Sequence, residues 1–456
     1  MLFSKDTRDM RTVWGYTFEW TPEHQTKEQL HPLIHTYDVL ASECLDRLDQ
    51  LSPPSTAKAT PVPHSETQDA KIQGEKEGIK TTATTGNQDP KLPTARRDLY
   101  ALLATHHATD ATLSALWSQL HTIPAWVDWA QIARGQAVFY RYGGPAIVSL
   151  TFQSLVGGMA GWRVVETLSR TGGFHVKAAK HRLLETFQHV LQVTKDLASV
   201  QPGGEGFAAS VRVRLLHASV RRRILALAKE QATRGDKEGQ GYFDVDAWGI
   251  PINDLDSIGT VLSFSAALIW IGLPRQGIYL TQQEIQDYHA LWRWIAYLLG
   301  TPTDTCLADW RASKAFFESL IVAELTPSEM GGVLANNILT GLSNQPPAFA
   351  SREFMCAEAR WLNGGELCDA LGIARILYKL TVENKEIGLG QETIFDFKYV
   401  PQIGLTTTLG DMVEGKRLGG AERRSVVTLV VVTALVGSVA WFGLRSALRL
   451  VTAGWG

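Results

Sequence analysis

The chain has 456 residues, 45% of them hydrophobic and 20% charged, with 44 basic against 46 acidic side chains. That balance suits a large globular body and excludes a nucleic-acid binder that works through bulk charge. Four cysteines without a CxxC pair exclude a disulfide scaffold and a thiolate zinc site. From the N-terminus, MLFSKDTRDMRTVWGYTFEW lacks the apolar run of a signal peptide. Residues 1–51 read as a segment that packs on the body. Residues 52–96 contain no aromatic side chain and are dense in Pro, Thr, Lys, Glu and Gly, so they are expected to be a disordered linker. The body, 97–400, reads as all-α: apolar residues recur at spacings of three and four between Gly and Pro breaks. The pattern predicts helices over Arg97–Gln119, Lys177–Ser199, Ala208–Gln231 and Thr281–Leu299. Residues 401–424 form a juxtamembrane linker, and 425–447 hold a transmembrane tail anchor.

The anchor rests on Ser425–Leu444, SVVTLVVVTALVGSVAWFGL, which has no charge over 20 residues. A helix of that length spans about 30 Å of hydrocarbon. Lys416, Arg417, Arg423 and Arg424 precede it, and Arg445 and Arg449 follow. The heavier basic flank lies before the span, which places the body on the cytosolic side, in keeping with an endoplasmic-reticulum anchor.

Several motifs fail on inspection. Gly410–Arg417, GDMVEGKR, has the spacing of a phosphate loop but ends in Arg where a hydroxyl should meet magnesium. There is no GxGxxG, GxSxG or HExxH, and the one ExxH, Glu28–His31, is half of what a di-iron bundle needs. The run DVDAWGIPINDLD, Asp244–Asp256, lacks the closing Glu of a calcium loop and reads as loop and cap residues, with a helix capped at Asp256.

The informative segment is ASVRVRLLHASVRRRILALAKEQ, Ala209–Gln231. As a helix it places Val213, His217, Val220 and Ile224 on one apolar stripe. His217 is there either as a core histidine satisfied by a carbonyl or as an axial haem ligand. Arg214 and Arg221 lie within a turn of it, as solvated bases or as partners for haem propionates. A second helix, HRLLETFQHV, carries Arg182 and Thr186 on one face, with Glu185 and His189. Glu166 lies sixteen residues before Arg182 in the apolar stretch GWRVVETL. It is either a paired or solvated carboxylate or a general base.

Three blocks carry a resemblance to a known family: Trp126–Ile147, WVDWAQIARGQAVFYRYGGPAI; the pair RLLET and VRLLHASVR; and the run from Gly241 to Thr301 with Trp248, Pro251, Asn253, Asp256, Thr260, Trp292 and Arg293 in order. They resemble the haem oxygenase group that joins bacterial latex-clearing rubber oxygenases with the fungal endoplasmic-reticulum-bound oxygenase of mycophenolic acid biosynthesis. The similarity covers about 115–400. It implies a globin-related helical core that holds haem b through His217. Arg182 and Thr186 stand on the oxygen side, and Glu166 removes an allylic proton. Rubber enzymes can carry a lysine ligand just before the distal threonine, where this chain has Glu185. His289, in QDYHALWRW, is either a second haem ligand or a structural residue, and the Tyr288, Trp292 and Arg293 around it favour the structural reading. The resemblance implies oxidative cleavage of a carbon–carbon double bond in an isoprenoid or other lipophilic substrate, with dioxygen, at a membrane. The alternatives are a haem peroxidase or monooxygenase of a lipid or secondary metabolite, and a non-catalytic membrane protein that retains the fold.

Overall fold

Among the described residues of the computed structural model, aspartate, asparagine, serine or threonine caps nine of the twelve helices of eight or more residues. The structure describes residues 8–54, 97–171, 174–234, 242–345, 349–375, 380–382 and 385–387. The helices are α1 (Val39–Leu51), α2 (Leu99–His106), α3 (Ala111–His121), α4 (Trp129–Arg141), α5 (Trp162–Thr171) and α6 (Val176–Thr194). There follow α7 (Glu205–Arg234), α8 (Asp254–Phe264), α9 (Gln282–Leu298), α10 (Trp310–Ala323), α11 (Glu329–Leu342) and α12 (Arg352–Asn363). The linker 52–96, the juxtamembrane stretch 401–424 and the expected span Ser425–Leu444 lie outside the described residues, apart from residues 52–54.

Capping chemistry moves several expected boundaries. The helix expected over Arg97–Gln119 is two helices, because the Asp110 carboxylate accepts from Thr112 N and Leu113 N and starts a second one. The helix expected to Ser199 stops at Thr194, and Asp196 opens a separate turn over Leu197–Val200. The third runs further than expected, over Glu205–Arg234. Thr281 is a cap rather than a helical residue, in a reciprocal box with Glu284. Asp256 does not cap α8: Asn253 does, accepting from Asp256 N, and Asp256 sits in the first turn.

Strand is sparse, but two antiparallel hairpins stand outside the helical expectation, Met10–Val13 with Tyr16–Glu19 and Leu380–Val382 with Lys385–Ile387. Strands of three and four residues are too short to show their alternation above background. The first hairpin turns at Trp14 and Gly15, both left-handed (φ 52° and 72°).

Two large apolar clusters form the core, with a small third of Ala41, Leu45 and Ala218 between α1 and α7. The larger includes Leu30, Leu48, Leu113, Ile132, Phe207, Leu262, Tyr288, Trp294 and Phe316, from the N-terminal segment through α10. The smaller joins Val156, Met159 and Val165 to α11 and α12 through Leu334, Ile338, Ala359 and Leu362. α4 and α9 cross closely because Gly135 has no side chain: a Cβ there would collide with the Asp287 carbonyl. Beside the crossing, Arg134 grips the Asp287 carboxylate with two hydrogen bonds of 2.9 and 3.0 Å. Among the described residues one helical run, Asp254–Arg275, is long and apolar enough to cross a membrane by length and composition. Leu255, Ile258, Val261, Leu262 and Leu268 from this run are buried in the larger cluster.

Residues 8–54 are tied to the body by charge as well as apolar contact. Glu318 of α10, 1% exposed at its side chain, accepts from Tyr16 Oη (2.6 Å), His24 Nε2 (2.9 Å) and Lys314 Nζ (2.5 Å). His24 Nδ1 accepts from Thr21 N at 3.0 Å, so the proton of the neutral ring is on Nε2 and points at Glu318. Asp38, just before α1, accepts from Arg214 of α7 at 2.6 and 2.9 Å.

Candidate functional site

α6 and α7 are joined by a short connection and run antiparallel. Their register is read from two contacts: Lys195 to Glu205 at 2.6 Å and His189 Nε2 to Ser210 Oγ at 3.0 Å. Seven residues further along each helix, about 10 Å of rise, Arg182 comes level with His217. Thr186 stands one turn away on the same face of α6 as Arg182, and His189 follows three residues later. The structure thus brings His189 and His217 together at the α6–α7 interface, with Arg182 and Thr186 on the same arc of α6 as His189.

His217 is half-buried and makes no hydrogen bond. Burial, aided by the Arg221 charge and opposed by Asp38, pushes its pKa down to about 4. Burial and the neighbouring His217 do the same to His189, also to about 4. Ser210 Oγ spends its proton on Gly206 O at 2.8 Å, so His189 Nε2 donates to Ser210 and its Nδ1 keeps a lone pair. Both rings are therefore neutral at pH 7. Among the described residues Arg182, half-buried, has no ion pair or hydrogen bond, and the exposed Thr186 hydroxyl has no partner. Glu185 turns back one helical turn to His181, at 3.3 Å.

Arg214 and Arg221 share the α7 stripe with His217, but their donors serve the fold. Arg214 Nε and Nη2 hold Asp38, and Nη2 also reaches Gln119 at 2.9 Å; only the buried Nη1 has no acceptor. Arg221 donates to the carbonyls of Pro251 (3.1 Å) and Ile252 (2.8 Å) and to Ser42 (3.0 Å), and stacks on Tyr37. Val213 and Val220 flank His217 half-buried, and Ile224 is buried.

Glu166 lies on α5, which packs against α7. Its Oε2 is 2.5 Å from Arg170 Nη1, one turn on. Arg170 also bonds the Glu166 carbonyl at 2.7 Å and sits over Trp248 at 4.5 Å. The carboxylate is thus held, three-quarters covered, at an aromatic wall. His289 Nε2 donates to Ser313 Oγ at 2.7 Å, and Ser313 donates to Cys306 O, a closed structural chain.

Two buried acids escaped sequence reasoning. Burial pushes Asp256 up to about 7 beside the Arg163–Glu324 pair, which closes at 2.7 Å. Burial alone takes Glu358 to about 7, and its Oε2 has no partner. Asp256 stands in the block that carries the family resemblance, which was the one signal for it. Nothing in the sequence around Glu358 distinguishes it from a surface residue of α12. Among the described residues no group of three or more His, Cys, Asp or Glu side chains is arranged to hold a bare metal ion.

Fold and site together define a helical protein whose longest described helix offers a neutral, unpartnered imidazole at the level of a free arginine on the next helix. The chain belongs to the family described as ER-bound oxygenase mpaB/B'/Rubber oxygenase, catalytic domain, whose model matches residues 129–382. It is thus a member of an oxidoreductase family. It is 24% identical over 180 residues to a rubber oxygenase of Streptomyces sp. (strain K30). That match covers 40% of this chain and 41% of the relative, so less than half of the curated relative is spanned. A solved structure of latex clearing protein in its closed state is 20% identical with a TM-score of 0.49, covering 70% of this chain and 79% of that one.

Proposed function

We propose that the chain is a haem b-dependent oxygenase that splits a carbon–carbon double bond of an isoprenoid or other lipophilic substrate with dioxygen. The observation that carries the reading is His217: neutral at pH 7, without a hydrogen bond, and level with an unpaired arginine. A haem needs a neutral imidazole lone pair and cations for its carboxylates. The residues fit. His217 would hold the iron, and the free Nη1 of Arg214 offers a donor to a carboxylate. Arg221, whose donors are spent on carbonyls and Ser42, fixes the pitch of α7 around His217. Haem, when bound, supplies the activation of dioxygen.

The chain's own side chains do the rest. Arg182 and Thr186 have unspent N–H and O–H donors and orient dioxygen. Glu166, positioned by its contact with Arg170, takes an allylic proton from the substrate. Both oxygen atoms end in the two carbonyl products, so no external electrons are needed. Ser425–Leu444 anchors the chain in the endoplasmic-reticulum membrane, with the body facing the cytosol, where a lipophilic substrate partitions.

The test is an absorption spectrum and pyridine haemochrome assay on the full chain expressed with ample haem. A Soret band with about one haem per chain, lost in His217→Ala, is the expected result. A colourless folded parent, or a variant as fully loaded as the parent, overturns the assignment. Labelled dioxygen then reports whether both atoms reach the products.

A further inference from the structure

The outer face of α6 does not pack on the body. Val176, Leu184, Phe187 and Leu191 are 42, 54, 37 and 38% exposed. At 100° per residue they fall within one narrow arc of the helix. Arg182, Thr186 and His189 fall on a different arc of the same helix. A shallow groove of about 390 Å³ runs beside Leu184, Phe187 and Leu191 and ends at Lys195 and Glu205. Tyr140 of α4, 54% exposed, contributes to the field around Lys195. A lone exposed leucine needs no explanation, but a stripe over four turns does.

We infer that this stripe is a membrane-docking face that lays α6 on a lipid bilayer, so that one helix carries lipid contacts on one arc and the proposed oxygen-side residues on another. Three observations favour lipid over other occupants. The apolar arc has Lys180 within it and Lys195 at its end, both exposed, with Tyr140 near the latter; their contacts, to Gln345 and Glu205 at 2.6 Å each, are surface ones that headgroups can replace. Lysines and tyrosines that can reach polar headgroups from an apolar face are the composition of an interfacial helix. The sequence beyond residue 387 contains the uncharged 20-residue run Ser425–Leu444, which in the proposed reading holds the body at a bilayer. A second copy of the chain is a poor fit, because four side chains on one helix fall well short of the roughly 800 Å² per partner that a stable interface buries. The inference deepens the proposed function by giving the lipophilic substrate a route from the membrane, and it rests on that reading.

The experiment places an environment-sensitive fluorophore on Leu184→Cys, and separately on Leu191→Cys, in the full chain reconstituted into phosphatidylcholine vesicles. Met10→Cys and Val39→Cys, at positions 49 and 48% exposed, are the controls. The four native cysteines are buried, and burial pushes the Cys44 and Cys368 thiols up to about 12, so labelling goes to the introduced site. Nitroxide-labelled lipid should quench both α6 labels about threefold more than either control, as for a helix set into the headgroup boundary. Equal quenching at all four sites overturns the proposal. Quenching at none, with self-quenching between labelled copies, overturns it in favour of a second copy; quenching at none without self-quenching overturns it outright. The haem spectrum is read on the same samples, so loss of the docking result with haem retained counts against this inference and not against the oxygenase reading.

Discussion

At the scale of single residues, the site is built from groups left without partners. His217 and Arg182 are half-buried, and neither has a hydrogen-bond partner, in a fold where Arg163, Arg214 and Arg221 are all engaged. Arg182 keeps contact with solvent, so its donors are open to water or to a ligand. Glu166 differs because it is already held by Arg170. Glu166→Gln keeps the shape and some of the hydrogen bonding to Arg170 but cannot accept a proton. It should lower kcat by about 10²- to 10⁴-fold, the range of a lost general base, with haem content unchanged; unaltered kcat would remove Glu166 from the chemistry. The stripe around His217 was legible in the sequence because a 3.6-residue period marks one face. The partners of Arg214 and Arg221 were not, since Asp38 lies 176 residues away from Arg214 and Pro251 lies 30 from Arg221. Periodicity carries no information at that range.

At the scale of elements, α7 keeps its place through the N-terminal segment. Asp38 both caps α1, accepting from Ala41 N at 3.2 Å, and neutralises Arg214, which is 2% exposed at its side chain. Further along, Arg222 pairs with Asp46 at 2.9 Å and also with Asp49, and Arg212 pairs with Asp98 at 2.7 Å. These exposed pairs add little each; the buried one decides. Asp38→Ala should cost about 3–5 kcal/mol by stranding the Arg214 charge, with about 1 kcal/mol more for the lost cap. Asp38→Asn keeps the cap and one hydrogen bond and should cost less. Urea unfolding of both variants tests this, and equal midpoints for Asp38→Ala and the parent would show that Arg214 finds water instead. The helices themselves were legible from apolar spacing, as over Glu205–Arg234 and Gln282–Leu298. Their ends were less so. Asp110 and Asp196 start new helices inside what reads as one continuous pattern, because a capping carboxylate leaves the apolar period undisturbed.

At the scale of the whole molecule, buried titratable groups of opposite character set the response to pH. His189, His217 and His289 are each held at about 4 by burial. Unfolded, they titrate near the usual 6.5. Between these values the unfolded chain binds the extra protons, so these three groups make stability fall as pH drops from about 6.5 towards 4. Asp256 and Glu358 act the other way. Their folded values, pushed up to about 7, lie above the unfolded ones, so the native chain holds the extra protons. Their contribution is present in acid and is lost as pH rises through 7. Near pH 5.5 three imidazoles are offset by two carboxyls, leaving a net slope of about one proton. Glu358→Gln removes one offsetting carboxyl and keeps a neutral side chain of the same shape in the site that its orphaned Oε2 occupies. The slope of stability against pH should then rise to about two protons. Urea midpoints of parent and variant on the haem-free protein at pH 5, 5.5 and 6 give both slopes directly. Parallel profiles would mean that Glu358 is ionised in the native state despite its burial, with a compensating cation beside it. A steeper profile for the variant makes the smaller core, built around α11 and α12, a second place besides Asp256 where the fold holds a proton in mild acid.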